Sequence, residues 1–407
     1  PDPRCCSPHR LEAVQVLTIA KRCPPQGARA PYLLGCLYYD KRQYDLAKKY
    51  WELSAQRDAE FPTVWRNLAL YYYNKEKNRQ LALEYMERAF RLDPTDSRAL
   101  MELDQLYKVT GRPHAERLAH LEQYPALIAE RDDLLLEQIT LLNHLGRYDE
   151  AMALLDSHIF HPWEGGEGKV PAQYQYARVE KAKSLLAGFS IKNYELGIMT
   201  ETATLESDAH SSQLTIDNAA QREHNSELTI DNSDVHNSEF IIHNSLLEQA
   251  ISLLKQCLLY PHHLGEGKLQ GAQDNDFHYL LGCAYELLGD DVQAREHWEL
   301  ATYGPTEPAA AMYYNDAKPE KIFYQGLALL KLGRTAEAHG RFHKLVGYGK
   351  QHLFEPQVMD YFAVSLPDLQ IWDGDLNEKN RIHCFFMLAL GYIGLSDTKR
   401  AQHYMVE

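Results

Sequence analysis

Apolar and small residues recur along most of this chain at the spacing of a helix that is buried on one face. In YLLGCLYYDKRQYDLAKKYWELS (Tyr32–Ser54), two such runs are separated by the polar stretch DKRQ. The segment YLLGCAYELLGDDVQAREHWELA (Tyr279–Ala301) repeats the same pattern far downstream. Because helical periodicity broken by a short polar turn is typical of two antiparallel helices, both segments predict helix hairpins.

The small and large positions of these hairpins follow one frame. Gly35 and Ala47 are the small positions of the first segment, and Tyr38 and Trp51 are its large ones; Gly282, Ala294, Tyr285 and Trp298 match them in the second. Small residues let the two helices of a hairpin approach closely, and we expect the large residues to fill the space between that hairpin and the next. A hairpin of this kind buries only one of its sides, so neighbouring hairpins must stack.

A third segment carries the fullest version of the frame. It reads Trp65-x-x-Leu68-Ala69-x-x-Tyr72 and continues to Ala82, Met86, Ala89 and Pro94. This pattern resembles the tetratricopeptide repeat, a helix–turn–helix unit of 34 residues. The resemblance implies an all-α fold, a right-handed α-solenoid of stacked helix hairpins with about seven or eight units.

A second resemblance concerns arrangement. The GEGK loops and the late stretch LPDL, Leu366–Leu369, with Asp373, Asp375 and Asn377 after it, are similar to the repeat half of large bacterial proteins. In those proteins a β-rich domain of uncertain, carbohydrate-related role precedes the repeats. The resemblance implies that this chain is the repeat half without that domain. The first residue is Pro1 rather than methionine, which is why we expect a fragment or a processed product.

One region interrupts the repeats. Gly188 reads as the turn glycine of a hairpin and Ala250 as the small residue of its second helix, but a long insertion separates them. The insertion contains the near-copies SQLTIDN (Ser212–Asn218), SELTIDN (Ser226–Asn232) and SEFIIHN (Ser238–Asn244), whose alternation is strand-like. We therefore expect it to be disordered or a small β element, with a binding element and a low-complexity tract without a role as alternatives.

These patterns divide the chain into four parts. The predicted parts are an N-terminal helical lead-in, expected to be truncated, over 1–27; helical repeats over 28–188; the insertion over 189–245; and helical repeats over 246–407, the last one truncated.

Composition and charge narrow the classes of partner. The 407 residues are 45% hydrophobic, and the formal net charge is −15, which disfavours a nucleic-acid surface. No apolar run reaches the roughly 18–20 residues of a membrane span, so no membrane partner is expected. Seven scattered cysteines without metal-ligand spacing predict reduced thiols and a cytoplasmic setting.

Two glycine-rich loops raise the question of a nucleotide site. HPWEGGEGK (His161–Lys169) and YPHHLGEGK (Tyr260–Lys268) share one frame. A phosphate-binding loop needs G-x-x-x-x-G-K-[S/T], but Trp163 stands at the first glycine position and Val170 at the hydroxyl position. The loops are therefore interpreted as connections between hairpins, with an alternative as a binding ridge. The predicted ridge consists of Trp163, Glu167, Lys169, Glu266 and Lys268.

No motif predicts catalysis, a cofactor or a metal. His339 and His343 are four residues apart on a helix but lack a third ligand. The stretch DGDLNE at Asp373–Glu378 departs from a calcium loop and is better explained as a helix start. The sequence therefore predicts a protein that is not an enzyme.

The repeat resemblance also implies where a ligand binds. In tetratricopeptide arrays the first helix of each unit lines a concave groove, and its register carries to Tyr32, Cys36, Tyr39, Arg66, Leu70, Tyr73, Asn74, Tyr279, Cys283 and Glu286. The expected function is a non-catalytic interaction scaffold that binds a protein or peptide in this groove. The alternative is an accessory repeat region of a larger carbohydrate-active bacterial protein.

Overall fold

The computed structural model describes residues 10–23, 27–163, 165–188, 232–310, 318–357, 371–372 and 374–406, together with Pro8 and Asp316. For residues 232–243 it describes the backbone alone. Every regular element in these ranges is helical, and none is a β-strand. The predicted all-α architecture of helix hairpins is confirmed.

Eighteen α-helices lie within the described ranges. In chain order they are α1 Ala13–Arg22, α2 Arg29–Asp40, α3 Tyr44–Arg57, α4 Pro62–Asn74, α5 Arg79–Leu92, α6 Ser97–Val109, α7 His114–Leu121, α8 Pro125–Ala129, α9 Asp132–His144, α10 Tyr148–Ser157, α11 169–188, α12 Asn232–Cys257, α13 Asn275–Leu288, α14 Asp291–Ala301, α15 Pro319–Lys331, α16 Thr335–His352, α17 Leu376–Gly394 and α18 Thr398–Val406. A 3₁₀ helix spans His262–Leu264.

The predicted small–large frame is visible inside the hairpins. A Cβ atom added to Gly35 of α2 would lie 2.3 Å from the side chain of Trp51 in α3. The indole ring therefore packs directly on the backbone of this glycine. The Trp51 Nε1 atom donates a hydrogen bond to the Tyr32 carbonyl at 3.2 Å. Gly282 and Trp298 repeat the contact between α13 and α14, at 2.4 Å. The tryptophan therefore packs within its own hairpin, against the small residue of the first helix, and not only between hairpins as the sequence pattern predicted.

The turn between the two helices of a hairpin needs a left-handed residue. Glycine meets this need after α13, where Gly289 has a φ of 82° and the Asp290 N–H donates to the Tyr285 carbonyl at 2.9 Å. At the corresponding positions of three other hairpins the positive φ falls on Arg42, Lys77 and Ser396. Left-handed geometry costs a residue with a side chain more than it costs glycine, so the packing of these hairpins holds the turn.

One hairpin replaces the small–small contact by a buried ion pair. Asp104 of α6 and Arg117 of α7 stand where other units carry glycine or alanine, and their side chains are 0% and 2% exposed. Arg117 donates to Asp104 Oδ2 at 2.6 Å and to Glu137 Oε1 of α9 at 2.6 Å. Burial raises the pKa of Asp104, against the lowering effect of Arg117. The pair links three helices through charge-assisted hydrogen bonds.

The strand-like interpretation of SEFIIHN was wrong. Asn232–Cys257 is one helix, so Ser238–Asn244 and the residues up to 245 are helical. Three consecutive apolar residues, Phe240–Ile242, break strict alternation, and the segment runs directly into the helical pattern from Leu246 onward. The other two near-copies, except for Asn232, lie outside the described residues, as does most of the predicted insertion.

The helices belong to two compact units. Unit 1 comprises 1–154, 160–167 and 361–376, and unit 2 comprises 155–159, 168–360 and 377–407. Within each unit, consecutive hairpins pack side by side, as α3 does against α4 and α12 against α13. Of the helices in the described ranges, none is long and apolar enough to cross a membrane.

Candidate functional site

In unit 1 the first helices of successive hairpins contact each other through polar side chains. The Asn67 amide of α4 donates to the Tyr32 hydroxyl of α2 at 3.3 Å and to Cys36 Sγ at 3.4 Å. Arg66 of α4 makes a two-pronged ion pair with Glu102 of α6. We define the unit 1 face as Tyr32, Arg66, Asn67, Tyr73, Asn74 and Glu102.

The unit 1 face holds a distant piece of the same unit. Asn74 Nδ2 donates to the Ile371 carbonyl at 2.8 Å, and Trp372 Nε1 donates to the Glu102 carbonyl at 3.0 Å. The Trp372 ring meets the Tyr73 ring edge-on, with centroids 5.3 Å apart. Trp372 is 1% exposed, although it lies 270 residues from Glu102 in the chain. This face thus binds one backbone carbonyl and one indole.

The residues predicted to line the unit 1 groove have several different environments. Tyr32 and Tyr73 are buried, at 4% and 6% exposure. Arg66, Leu70 and Asn74 are half-buried on the face. Tyr39 instead packs in its own hairpin, edge-on to Tyr44 at 5.2 Å and tilted against Trp51 at 5.4 Å.

Unit 2 carries a corresponding face between α13 and α15. Tyr279 packs against Tyr324 with ring centroids 5.4 Å apart. Ion pairs lie on both sides of this contact, Asp276 with Lys321 and Glu286 with Lys331. We define the unit 2 face as Asp276, Tyr279, Glu286, Lys321, Tyr324 and Lys331. Glu286 is exposed there, and Tyr279 is half-buried.

A tyrosine–cysteine pair recurs on both faces at the same spacing. Tyr32 and Cys36 lie on the unit 1 face, and Tyr279 and Cys283 on the unit 2 face. Burial raises the pKa of the Cys36 and Cys283 thiols, so both are protonated at neutral pH. A protonated thiol is a poor nucleophile. The five cysteines in the described ranges are free thiols.

Two side chains of the predicted loop ridge, Glu266 and Lys268, make hydrogen bonds within the fold. Glu266 Oε2 accepts from the Gly168 N–H at 2.8 Å, at the start of α11. Lys268 Nζ donates to the Leu258 carbonyl at 2.8 Å and pairs with Asp274. Glu167 and Lys169 are exposed, whereas Trp163 is half-buried and packs on Gly166. The ridge as a binding surface stays a prediction.

Several residues of the faces carry signals that sequence reasoning passed over. Asn67 and Glu102 are polar residues in the interior of apolar first helices, and Trp372 is a lone tryptophan outside the repeat frame. Lys321 and Tyr324 lie in α15, for which the sequence pattern predicted no groove residues. Within the described ranges, no three histidine, cysteine or acidic side chains come together as metal ligands.

The family model of the tetratricopeptide repeat matches residues 32–97. Among solved structures, the chain is similar to PilW, a widely conserved type IV pilus biogenesis factor, at 14% identity and a TM-score of 0.31, covering 67% of this chain and 90% of that chain.

Two further solved structures are similar. Human IFIT1, as a dimer with PPP-AAAA, has 13% identity and a TM-score of 0.31, covering 96% of this chain and 75% of that chain. Naa15/Naa10 bound to HypK-THB has 11% identity and a TM-score of 0.32, covering 95% of this chain and 70% of that chain.

The segment matched by the family model contains the hairpins α2–α3 and α4–α5, with Trp51 packed on Gly35. Residues 32–97 are therefore tetratricopeptide repeats.

Proposed function

We propose that this chain is a non-catalytic scaffold whose first-helix faces bind a segment of a protein partner. The observation that carries the proposal is the capture of Ile371–Trp372 on the unit 1 face. Asn74 binds a main-chain carbonyl there, and Tyr73 and Glu102 receive a side chain. This division of labour, with one group on the backbone and a pocket for a side chain, is how peptides are recognised.

The unit 2 face supports the proposal through its chemistry. Aromatic Tyr279 and Tyr324 lie between the ion pairs of Asp276 with Lys321 and Glu286 with Lys331. Aromatic side chains with a polar rim are typical of protein interfaces, since they bury large areas at low entropic cost. Charges of both signs suit a protein better than a polyanion, which rewards a basic surface.

The predicted groove residues enter the proposal with different roles. Arg66, Tyr73, Asn74, Tyr279 and Glu286 are assigned to partner binding. Tyr32 supports the face from beneath, and Tyr39 supports its own hairpin. The alternative, an accessory region of a carbohydrate-active protein with a preceding β-rich domain, rests on sequence resemblance and stays a prediction.

The experiment is a selection of peptide ligands by phage display against the purified chain, followed by calorimetric titration of variants. Asn74→Ala tests the unit 1 face and Glu286→Ala the unit 2 face; Glu84→Ala, on the exposed side of the second helix α5, is the control. We expect the selected ligands to lose at least about tenfold in affinity for one of the two face variants. Full affinity for both would contradict the proposal.

A further inference from the structure

The contact between the unit 1 face and Ile371–Trp372 has the form of a bound ligand. Asn74 and Glu102 lie 297 and 270 residues away in the chain from their partners. The two hydrogen bonds involve the Ile371 carbonyl and the Trp372 indole N–H, both of which any aliphatic–tryptophan pair possesses. The site therefore recognises features that any peptide with an aliphatic residue followed by tryptophan has, and these features are not specific to this one segment.

The walls of the site are held together without Trp372. Arg66 of α4 pairs with the Glu102 carboxylate, and Arg98 donates to the same carboxylate at 2.8 Å. Trp372 uses the Glu102 backbone carbonyl instead. Because the Arg66–Glu102 ion pair links α4 to α6 independently of the indole, removing the indole leaves a preformed pocket. Preorganisation of this kind lowers the cost of binding a second ligand.

Trp372 supplies the buried side chain of this contact. Its ring is 1% exposed and packs edge-on against Tyr73. Buried tryptophans with a satisfied indole N–H are frequent anchors at interfaces. Ile371 contributes its backbone carbonyl through the Asn74 contact.

We propose that Tyr73, Asn74 and the Glu102 carbonyl form a tryptophan-accepting site for a partner protein, and that Ile371–Trp372 is its exchangeable resident ligand. The inference rests on the proposed function and names the chemistry of the partner segment. The resident segment is tethered, so it competes at an effective concentration on the order of millimolar. A partner therefore binds weakly until the resident tryptophan leaves.

The test uses the full chain and a labelled synthetic peptide of residues 366–376, followed by fluorescence anisotropy. The Trp372→Ala chain should bind this peptide at least about tenfold more tightly than the wild-type chain, because the internal competitor is gone. The same peptide with alanine at position 372 should not bind. Adding Asn74→Ala to the Trp372→Ala chain should weaken the binding again.

Failure of binding to a folded Trp372→Ala chain would overturn the inference and make the segment a fixed clasp. Circular dichroism decides whether that variant is folded. If it is not, the wild-type chain labelled with 5-fluorotryptophan replaces it. Excess unlabelled peptide should then move the Trp372 fluorine resonance toward its solvent position, and an unmoved resonance overturns the inference.

The outcome separates this inference from the proposed function. Phage-selected peptides without tryptophan that bind the Asn74 face equally in both chains would overturn the inference and leave the scaffold function standing. No ligand for either chain or either face would overturn both.

Discussion

At the residue scale, the hairpin α15–α16 has the same contact of a glycine with an aromatic ring that is present in α2–α3 and α13–α14. Gly326 of α15 faces Phe342 of α16, and an added Cβ atom there would lie 2.3 Å from the phenyl ring. Gly340 lies in the same hairpin, on the exposed side of α16, and has open space around it. The two glycines therefore serve different purposes.

The pair gives a matched prediction. Gly326→Ala should lower the free energy of unfolding by about 1–3 kcal/mol, since overpacking forces Phe342 out of place. Gly340→Ala should raise it by about 0.4–1 kcal/mol, since alanine restricts the unfolded chain and fits the helix. Urea unfolding of both variants measures the difference. Equal effects would show that Gly326 is not a packing position.

The buried pair Asp104–Arg117 gives a second prediction at this scale. Arg117→Met should cost about 3–5 kcal/mol of unfolding free energy, because it leaves a buried carboxylate without its partner. The double variant Asp104→Leu/Arg117→Met should recover most of that loss, since apolar residues of similar volume carry no desolvation cost. Glu137 keeps its contact with Lys108 at 3.0 Å in either variant. Thermal unfolding of the wild-type chain and the two variants tests this, and a double variant less stable than Arg117→Met would argue against a specific pair.

At the element scale, the hairpin α13–α14 carries two histidines in direct contact. His278 Nδ1 lies 3.0 Å from His297 Nδ1, and the two rings are stacked with centroids 5.2 Å apart. Burial lowers the pKa of both side chains, and for His297 the neighbouring His278 adds to the effect. Lys268 and Lys255 act in the same direction; Asp274, Asp276 and Glu296 oppose it.

This contact predicts a loss of stability in acid. The folded-state pKa values lie below the unfolded value of about 6.5, so the unfolded chain binds more protons as the pH falls below that value. The stability that comes from keeping both histidines neutral should therefore be complete above about pH 6.5. The free energy of unfolding should decrease as the pH falls below that value. His297→Gln should show a weaker decrease, and His339→Gln, exposed on α16, should match the wild-type chain. Urea unfolding at pH 7.5 and 5.5 measures the decrease for each chain. If His297→Gln loses as much stability between these pH values as the wild-type chain, the histidine contact is not its cause.

At the scale of the whole molecule, the hairpin α11–α12 differs from the others by its connection. In the α13–α14 hairpin the turn residue Gly289 stands five positions before Ala294. Deleting residues 189–245 places Gly188 five positions before Ala250 and restores that spacing. The contacts of Arg178 with Gln256 and of Gln175 with the Cys257 carbonyl lie outside the deletion.

The deletion variant should fold and retain ligand binding at the unit 1 face. Closing a connection of a few residues instead of residues 189–231 saves up to about 2 kcal/mol for a flexible loop, at about 0.6 kcal/mol per doubling of length. Its thermal unfolding midpoint should equal or exceed that of the full chain. A lowered midpoint would show that the deleted residues contribute stabilising contacts.

The sequence by itself determined the hairpins. Helical periodicity, the small residues Gly35 and Gly282 and the aromatic residues Trp51 and Trp298 all act within neighbouring segments, so local spacing was enough to find them. Local spacing gave the wrong element at Ser238–Asn244, because a short apolar run is compatible with both strand and helix. The helix that continues to Cys257 determines that this segment is helical.

The tertiary structure alone decided the composition of the unit 1 face. Trp372 shows no repeat register, and its place against Tyr73 and Glu102 joins residues some 270–297 positions apart in the chain. Likewise, the sequence gives no sign that Asp104 and Arg117 differ from ordinary surface charges. Only the packing of the helices shows that both side chains are buried. Local patterns fix which face of a helix is buried, whereas the identity of the group that covers it depends on contacts that no local pattern encodes.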